Sequence, residues 1–274
     1  MSSIESSSLE HTDKFRALKQ SQKTVGKSEL VKVPVGSTSV RGYIHLPAGY
    51  ADNKNAVVAA AILLSGAGGG VTGPSGIYVS IGDKLSSLSQ GIPVLRLDYR
   101  HPGHNDPCNE DMLSAMDFLE KKHSIRKFVL VGWSFGGAPV FTIGGQEKDR
   151  VIGCATIASQ TAAAGGIKHL APRPVLLLHG TGDKVLNSYC SQSLYNLYGK
   201  NGNRTLKFFE GDDHALTGHP LEAEELLCEF IAKCVGVEIS SNEQGKVIGK
   251  KLTANEDRID LMKKGGDLNG ERIE

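Results

Sequence analysis

From residue 56 onward the chain gathers its apolar residues into short continuous runs: 56–64, 92–97, 128–131 and 151–158, then 175–178 and 205–209. They are rich in aliphatic and β-branched side chains, and turn residues bound them. Runs of this kind predict strands buried on both faces. Helical spacing fills the intervals. Ile77, Ile81, Leu85 and Leu88 repeat through 77–90, and Asn109 can cap a helix carrying Met112, Ala115, Met116 and Leu119. Residues 188–198 gather Leu194, Leu197 and Tyr198 on one side. Pro220 opens a helix with Leu226, Leu227, Phe230, Ile231 and Cys234 at helical intervals. Alternating strands and helices predict an α/β protein with a mostly parallel, doubly wound sheet.

Residues 28–48 follow a different rhythm. Apolar and polar positions alternate through Leu30–Val33 and again through Val40–Ile44, with a turn at 34–39. The expectation is an antiparallel hairpin at a sheet edge. Only about 15 residues separate Ser159 from the run at 175–178, too few for a cap domain. The site is therefore expected to be open or covered only by short loops.

Both ends leave the pattern. Residues 1–27 are polar and Ser-rich and read as a loosely attached arm; 28–235 form the α/β domain. Residues 236–274 are a charged tail. In it Thr253 and Glu256 fit a capping box, Gly265 a helix stop, and Ile259 and Met262 one face of a short helix at 254–264. The tail reads as a surface appendage. Its helix is also a candidate docking element for a partner or, through self-association, for a second copy of the chain.

Composition narrows the classes. With 31 basic and 30 acidic residues the net charge is +1, which favours neither nucleic acid nor an anionic membrane surface. No N-terminal apolar stretch resembles a secretory signal, no run reaches membrane-spanning length, and the final Arg-Ile-Glu is no peroxisomal address. The expected location is the cytoplasm. The five cysteines, Cys108, Cys154, Cys190, Cys228 and Cys234, are irregularly spaced and read as reduced thiols.

Chemistry concentrates at the ends of the predicted strands. Gly132-Trp133-Ser134-Phe135-Gly136 follows the run at 128–131 and precedes apolar positions 138–143. A G-x-S-x-G at a strand-to-helix turn holds a serine hydroxyl out above the sheet, with a helix N-terminus behind it. A serine nucleophile needs a base, and the base an orienting carboxylate. The next strand ends in His179-Gly180-Thr181-Gly182-Asp183, and the one after in Glu210-Gly211-Asp212-Asp213-His214. Ser134, Asp183 and His214 are the expected nucleophile, acid and base, each on its own loop at the ligand-binding end of the sheet. Asp212 and Asp213 compete as the acid only by adjacency along the chain. His179 reads as structural, His219 as a surface residue, and His101 and His104 as candidates for the substrate side.

Acyl transfer also needs oxyanion donors. The Phe135 N–H, next after the nucleophile, is one. The Gly-rich loop Ser65-Gly66-Ala67-Gly68-Gly69-Gly70 supplies the other, assigned to Ala67 with Gly66 and Gly68 as neighbours. Gly66 and Gly68 are expected to touch substrate, Trp133 either to touch it as a pocket wall or to pack in the core, and Tyr78 to lie near the mouth. No phosphate-binding glycine motif is present.

Together, SGAGGG, GWSFGG, HGTGD and GDDH resemble the oxyanion loop, nucleophile elbow, acid loop and base loop of the α/β-hydrolase superfamily. Ser65 replaces the usual histidine of the oxyanion loop. Without a lid, the chain looks like the small dienelactone-hydrolase-like or acyl-esterase-like members. The resemblance spans roughly residues 28–235. It implies a serine hydrolase that cleaves an ester, thioester or lactone of a small to medium acyl substrate with water, through an acyl-enzyme and with no metal or organic cofactor. A slow-turnover small-molecule receptor or interaction protein, or a peptidase, on the same fold are the alternatives.

Overall fold

The structure, a computed structural model, describes residues 27–53 and 56–274. The expected N-terminal arm, apart from Lys27, lies outside the described residues. Eight strands form one sheet: β1 (Lys27–Val35), β2 (Thr38–Leu46), β3 (Ala59–Leu64), β4 (Val94–Leu97), β5 (Lys127–Trp133), β6 (Val151–Ile157), β7 (Val175–Gly180) and β8 (Arg204–Phe209). Their order is β1-β2-β4-β3-β5-β6-β7-β8. β1 and β2 form the antiparallel edge hairpin, β2 meets β4 antiparallel, and β3 to β8 run parallel.

The continuous apolar runs now have a physical cause. Along β3, Ala60, Ile62 and Leu64 join one core, while Ala61 and Leu63 join a second core on the opposite face. β5 divides in the same way, with Phe128 and Leu130 on one side and Val129, Val131 and Trp133 on the other. Because both faces are covered, alternate side chains are all apolar. Helices α2 (Asn105–His123), α3 (Gly137–Gln146) and α4 (Tyr189–Tyr198) pack on the first core. Helices α1 (Ile77–Ser86) and α5 (Pro220–Val235) pack on the second. Helix α2 begins four residues before Asn109, and α1 stops at Ser86 rather than running to 90. Among the described residues β6 and β7 are joined without a cap domain, by a loop holding one 3-10 turn, Gly165–His169.

The C-terminal tail is not a surface appendage. After α5 come a helical turn α6 (Ser241–Glu243), a π turn (Gln244–Ile248) and helix α7 (Asn255–Gly265). Val247, Ile248, Leu252 and Met262 are buried in the second core. Arg258 of α7, 2% exposed, donates to Glu224 of α5 at 3.2 Å and to the Ser75 carbonyl at 2.9 Å. Glu224 also receives Lys84 of α1 at 2.6 Å. A buried carboxylate facing two cations is what seats a charge-rich helix in an apolar layer.

The capping box lies at Ser240 and Glu243, not at Thr253 and Glu256. Thr253 is itself buried, with Oγ1 3.4 Å from Ser80 Oγ. Helix α7 ends on left-handed Gly266, one residue past the expected stop.

Candidate active site

β5 delivers Ser134 at its C-terminal end, in a 3-10 turn that leads into α3. Its backbone sits at φ 53°, a left-handed conformation that costs a residue with a Cβ roughly 1–2 kcal/mol. The flanking glycines make the turn sterically accessible. A Cβ on Gly132 would lie 2.3 Å from the Gly136 carbonyl oxygen, and one on Gly136 would lie 2.5 Å from that of Ser65. The strained serine and the two close approaches describe one tight elbow that stands the hydroxyl over the sheet edge.

Two further parallel strands, β7 and β8, separated from β5 by β6, bring the other two residues to it. Asp183, past the end of β7, accepts from His214 Nδ1 through Oδ2 at 2.6 Å. Its other oxygen accepts the Val185 and Leu186 N–H groups, each at 2.8 Å. Burial pushes the Asp183 carboxyl up, but hydrogen bonds from His179, His214 and the Leu186 N–H outweigh it. They hold the group well below the usual carboxylate range. His214 follows β8 and is fully buried. Burial disfavours its charged form, yet Asp183 on one side and Glu271 on the other raise its pKa to about 9.

The competing residues have separate work. Asp212 accepts the Gly218 and His219 N–H groups, and Asp213 those of Ala215 and Thr217. Both shape the turn that carries His214. His219 pairs with Asp212 at 2.8 Å and is partly exposed. His179 lies fully buried behind the acid, with Nε2 3.1 Å from Asp183 Oδ2 and Nδ1 2.7 Å from Ser191 Oγ. His101 and His104 are exposed on the loop after β4.

Both aromatics that were candidates for the substrate side are core residues. Trp133 has no exposed surface; its Nε1 donates to the His214 carbonyl at 2.9 Å and its ring lies 5.5 Å from the imidazole. Side chains alternate along β5, so a residue directly before the elbow points into the layer beneath the base loop. Tyr78 is equally buried and donates to the Leu64 carbonyl. The Phe135 ring packs edge-on to Tyr99, while its N–H is carried in the elbow beside Ser134.

No cap domain covers the site among the described residues, but a short C-terminal segment does. Beyond α7 the chain turns back across the Gly-rich loop after β3. Asp267, fully buried, accepts from Ser65 Oγ at 2.5 Å, from Thr72 Oγ1 at 2.6 Å, and from the Thr72 and Gly73 N–H groups. Burial raises its pKa to about 6 against the opposing pull of these donors. Four residues on, Glu271 reaches the elbow. Its Oε1 accepts from Ser134 Oγ at 3.2 Å and lies 3.4 Å from His214 Nε2. Its Oε2 accepts the Ala67 N–H at 2.6 Å. His214 Nε2 itself has no hydrogen-bond partner. Cβ atoms on Gly66 and Gly68 would meet Glu271 at 2.1 Å and Asn269 at 2.6 Å, so both glycines border this segment.

Asp267 and Glu271 were invisible in sequence. They lie in an unpatterned charged stretch, 202 and 204 residues from the loop atoms they bind.

A parallel sheet with a strained serine elbow, an Asp–His pair and a Gly-rich loop at one end defines a hydrolase-type α/β architecture. A family model described as "alpha/beta hydrolase fold" matches residues 62–227. The chain belongs to that family. No curated protein matches it.

Solved structures align along most of the chain. Est1E from Butyrivibrio proteoclasticus is 17% identical with a TM-score of 0.61, covering 76% of this chain and 99% of its own. Dienelactone hydrolase from Anabaena variabilis is 16% identical with a TM-score of 0.64, covering 76% and 98%. XC6422 from Xanthomonas campestris, described as an a/b serine hydrolase without lid, is 14% identical with a TM-score of 0.57, covering 77% and 94%. Among the described residues no helix is long and apolar enough to cross a membrane.

Proposed function

We propose that this protein is a serine hydrolase that cleaves an ester, thioester or lactone of a small to medium acyl substrate. Ser134 attacks the carbonyl carbon while His214 takes its proton. Asp183 holds the imidazole through Nδ1 and stabilises its charged form. The Phe135 and Ala67 N–H groups receive the oxyanion. The protonated His214 then gives its proton to the leaving group. Water, activated by His214, hydrolyses the acyl-enzyme and releases the acid.

The observation that carries this reading is the convergence on one point. A strained serine hydroxyl, an acid-paired histidine and a loop N–H all face the same carboxyl group, that of Glu271. The space over Ser134 therefore suits a carboxyl-derived group. The dienelactone hydrolase from Anabaena variabilis among the similar folds agrees with that chemistry.

A fluorophosphonate probe should label the protein stoichiometrically at Ser134. A panel of short-chain esters, thioesters and lactones should give multiple turnovers, with Ser134→Ala losing both label and turnover. A folded protein that resists the probe and turns over none of the panel overturns the reading. One turnover with retained product identifies a receptor instead.

A further inference from the structure

The Glu271 carboxylate lies where a reaction product would lie. In hydrolysis by a serine nucleophile, the acid leaves with one oxygen at the oxyanion donors and the other between the serine and the histidine. Glu271 Oε2 takes the Ala67 N–H at 2.6 Å, and Oε1 sits 3.2 Å from Ser134 Oγ and 3.4 Å from His214 Nε2. The Ser134 proton is thereby donated to Glu271, and the base is left without its hydrogen bond to the nucleophile.

We propose that residues 268–274 are a tethered, product-mimicking inhibitor, with Glu271 filling the acyl site until the segment swings away. The proposal rests on the hydrolase reading of Ser134.

The segment is built in two parts. Asp267 is the fixed part, because its carboxylate satisfies Ser65, Thr72 and Gly73 in a fully buried setting and shapes the oxyanion loop itself. Beyond Asp267 no side chain is fully buried. Glu271 makes the contacts in the site, the Ile273 carbonyl accepts the His214 N–H at 3.3 Å, and the Leu268 and Ile273 side chains rest partly buried against the second core. Arg272 and Glu274 are exposed to solvent. Gly266 and Gly270 take φ values of 89° and 97°, which bend the chain on either side of the anchor. The bends bring the carboxylate back over the site, and rotation about Gly270 carries it off without disturbing Asp267. A carboxylate tethered a few residues from its site has a high effective concentration, so even a weak product-like contact keeps most molecules closed.

The test compares the full chain with a chain stopped after Leu268, which keeps the anchor, and with Glu271→Ala and Glu271→Gln. Each is measured for kcat/KM on a small activated ester and for the rate of fluorophosphonate labelling. The expected result is a rise of about tenfold or more in both rates for all three altered forms. The synthetic peptide Asn-Gly-Glu-Arg-Ile-Glu should inhibit the shortened chain competitively, and its version with glutamine at the first glutamate should not. Unchanged or lower rates in the folded variants, with Ser134 still labelled, overturn the plug and leave the hydrolase intact. A loss on Glu271→Ala would instead make the carboxylate a participant in catalysis. If the shortened chain does not fold, the two side-chain variants decide alone. If no form labels at Ser134, the hydrolase reading falls and the plug falls with it.

Discussion

At Ser134 the backbone and the side chain are set by different demands. The φ of 53° serves the elbow, and the hydroxyl serves the proposed chemistry. Ser134→Gly removes the steric cost of the left-handed turn, while Ser134→Ala keeps it. Both are expected to be inactive, with the glycine variant more stable by about 1 kcal/mol in denaturant melts. His214 gives a pH prediction. Its pKa rises from 6.5 unfolded to about 9 folded. The stabilisation from its charge is full below about pH 6.5 and disappears as pH rises through about 9. A protonated His214 cannot act as a base, so activity should climb over the same alkaline range. Asp183 and Glu271 are the acids that hold the proton. Glu271→Gln should therefore move the acid limb of the kcat/KM profile to lower pH, and the His214 NMR titration should move with it. Coincident profiles for the two proteins would remove Glu271 from the control of His214.

At the scale of elements, the tail helix α7 is held by charge as much as by apolar contact. Glu224 on α5 faces Lys84 on α1 and Arg258 on α7, all three essentially out of water. Removing the shared carboxylate strands two buried cations. Glu224→Ala is expected to cost about 3–5 kcal/mol, read by chemical denaturation. If charge holds α7 in place, hydrogen exchange should accelerate in 255–265 more than in the central strands. A uniform change would show that α7 is seated by its apolar face instead.

At the scale of the whole molecule, the C-terminal tail ties the Gly-rich loop to the serine elbow. It covers the second core, clamps the Gly-rich loop after β3 through Asp267, and reaches Ser134 through Glu271. Two truncations should therefore behave differently. A chain stopped before α7 leaves Glu224 without Arg258, and Ser65, Thr72 and Gly73 without their acceptor, and should lose several kcal/mol with a marked drop in Tm. A chain stopped after Leu268 keeps Arg258 and Asp267, loses the Glu271 contacts and the partly buried Ile273, and should melt much closer to the full chain. Equal melting of both would place the tail outside the cooperative unit.

Much of this was readable in the sequence because it is local. A strand buried on both faces must be continuously apolar, and a G-x-S-x-G elbow needs its glycines within two residues of the serine. Ser134, Asp183 and His214 lie on the loops just past three recognisable strands, β5, β7 and β8, so their order along the chain was on view. What failed depended on direction or distance. Trp133 could have faced the pocket or the core until the pleat of β5 turned it inward beneath His214. The tail looked polar because its composition conceals which charges meet: Arg258 finds Glu224, and Asp267 finds the amides of a loop some 195 residues earlier. A charged residue reads as solvated unless its partner is known, and chain spacing does not encode partners that only the folded sheet brings together. The sequence by itself determined the sheet, the elbow and the residues offered for catalysis. Only the tertiary structure decided that a carboxylate from the far end of the chain closes over them, because that contact is made across the fold by a side chain with no local pattern to mark it.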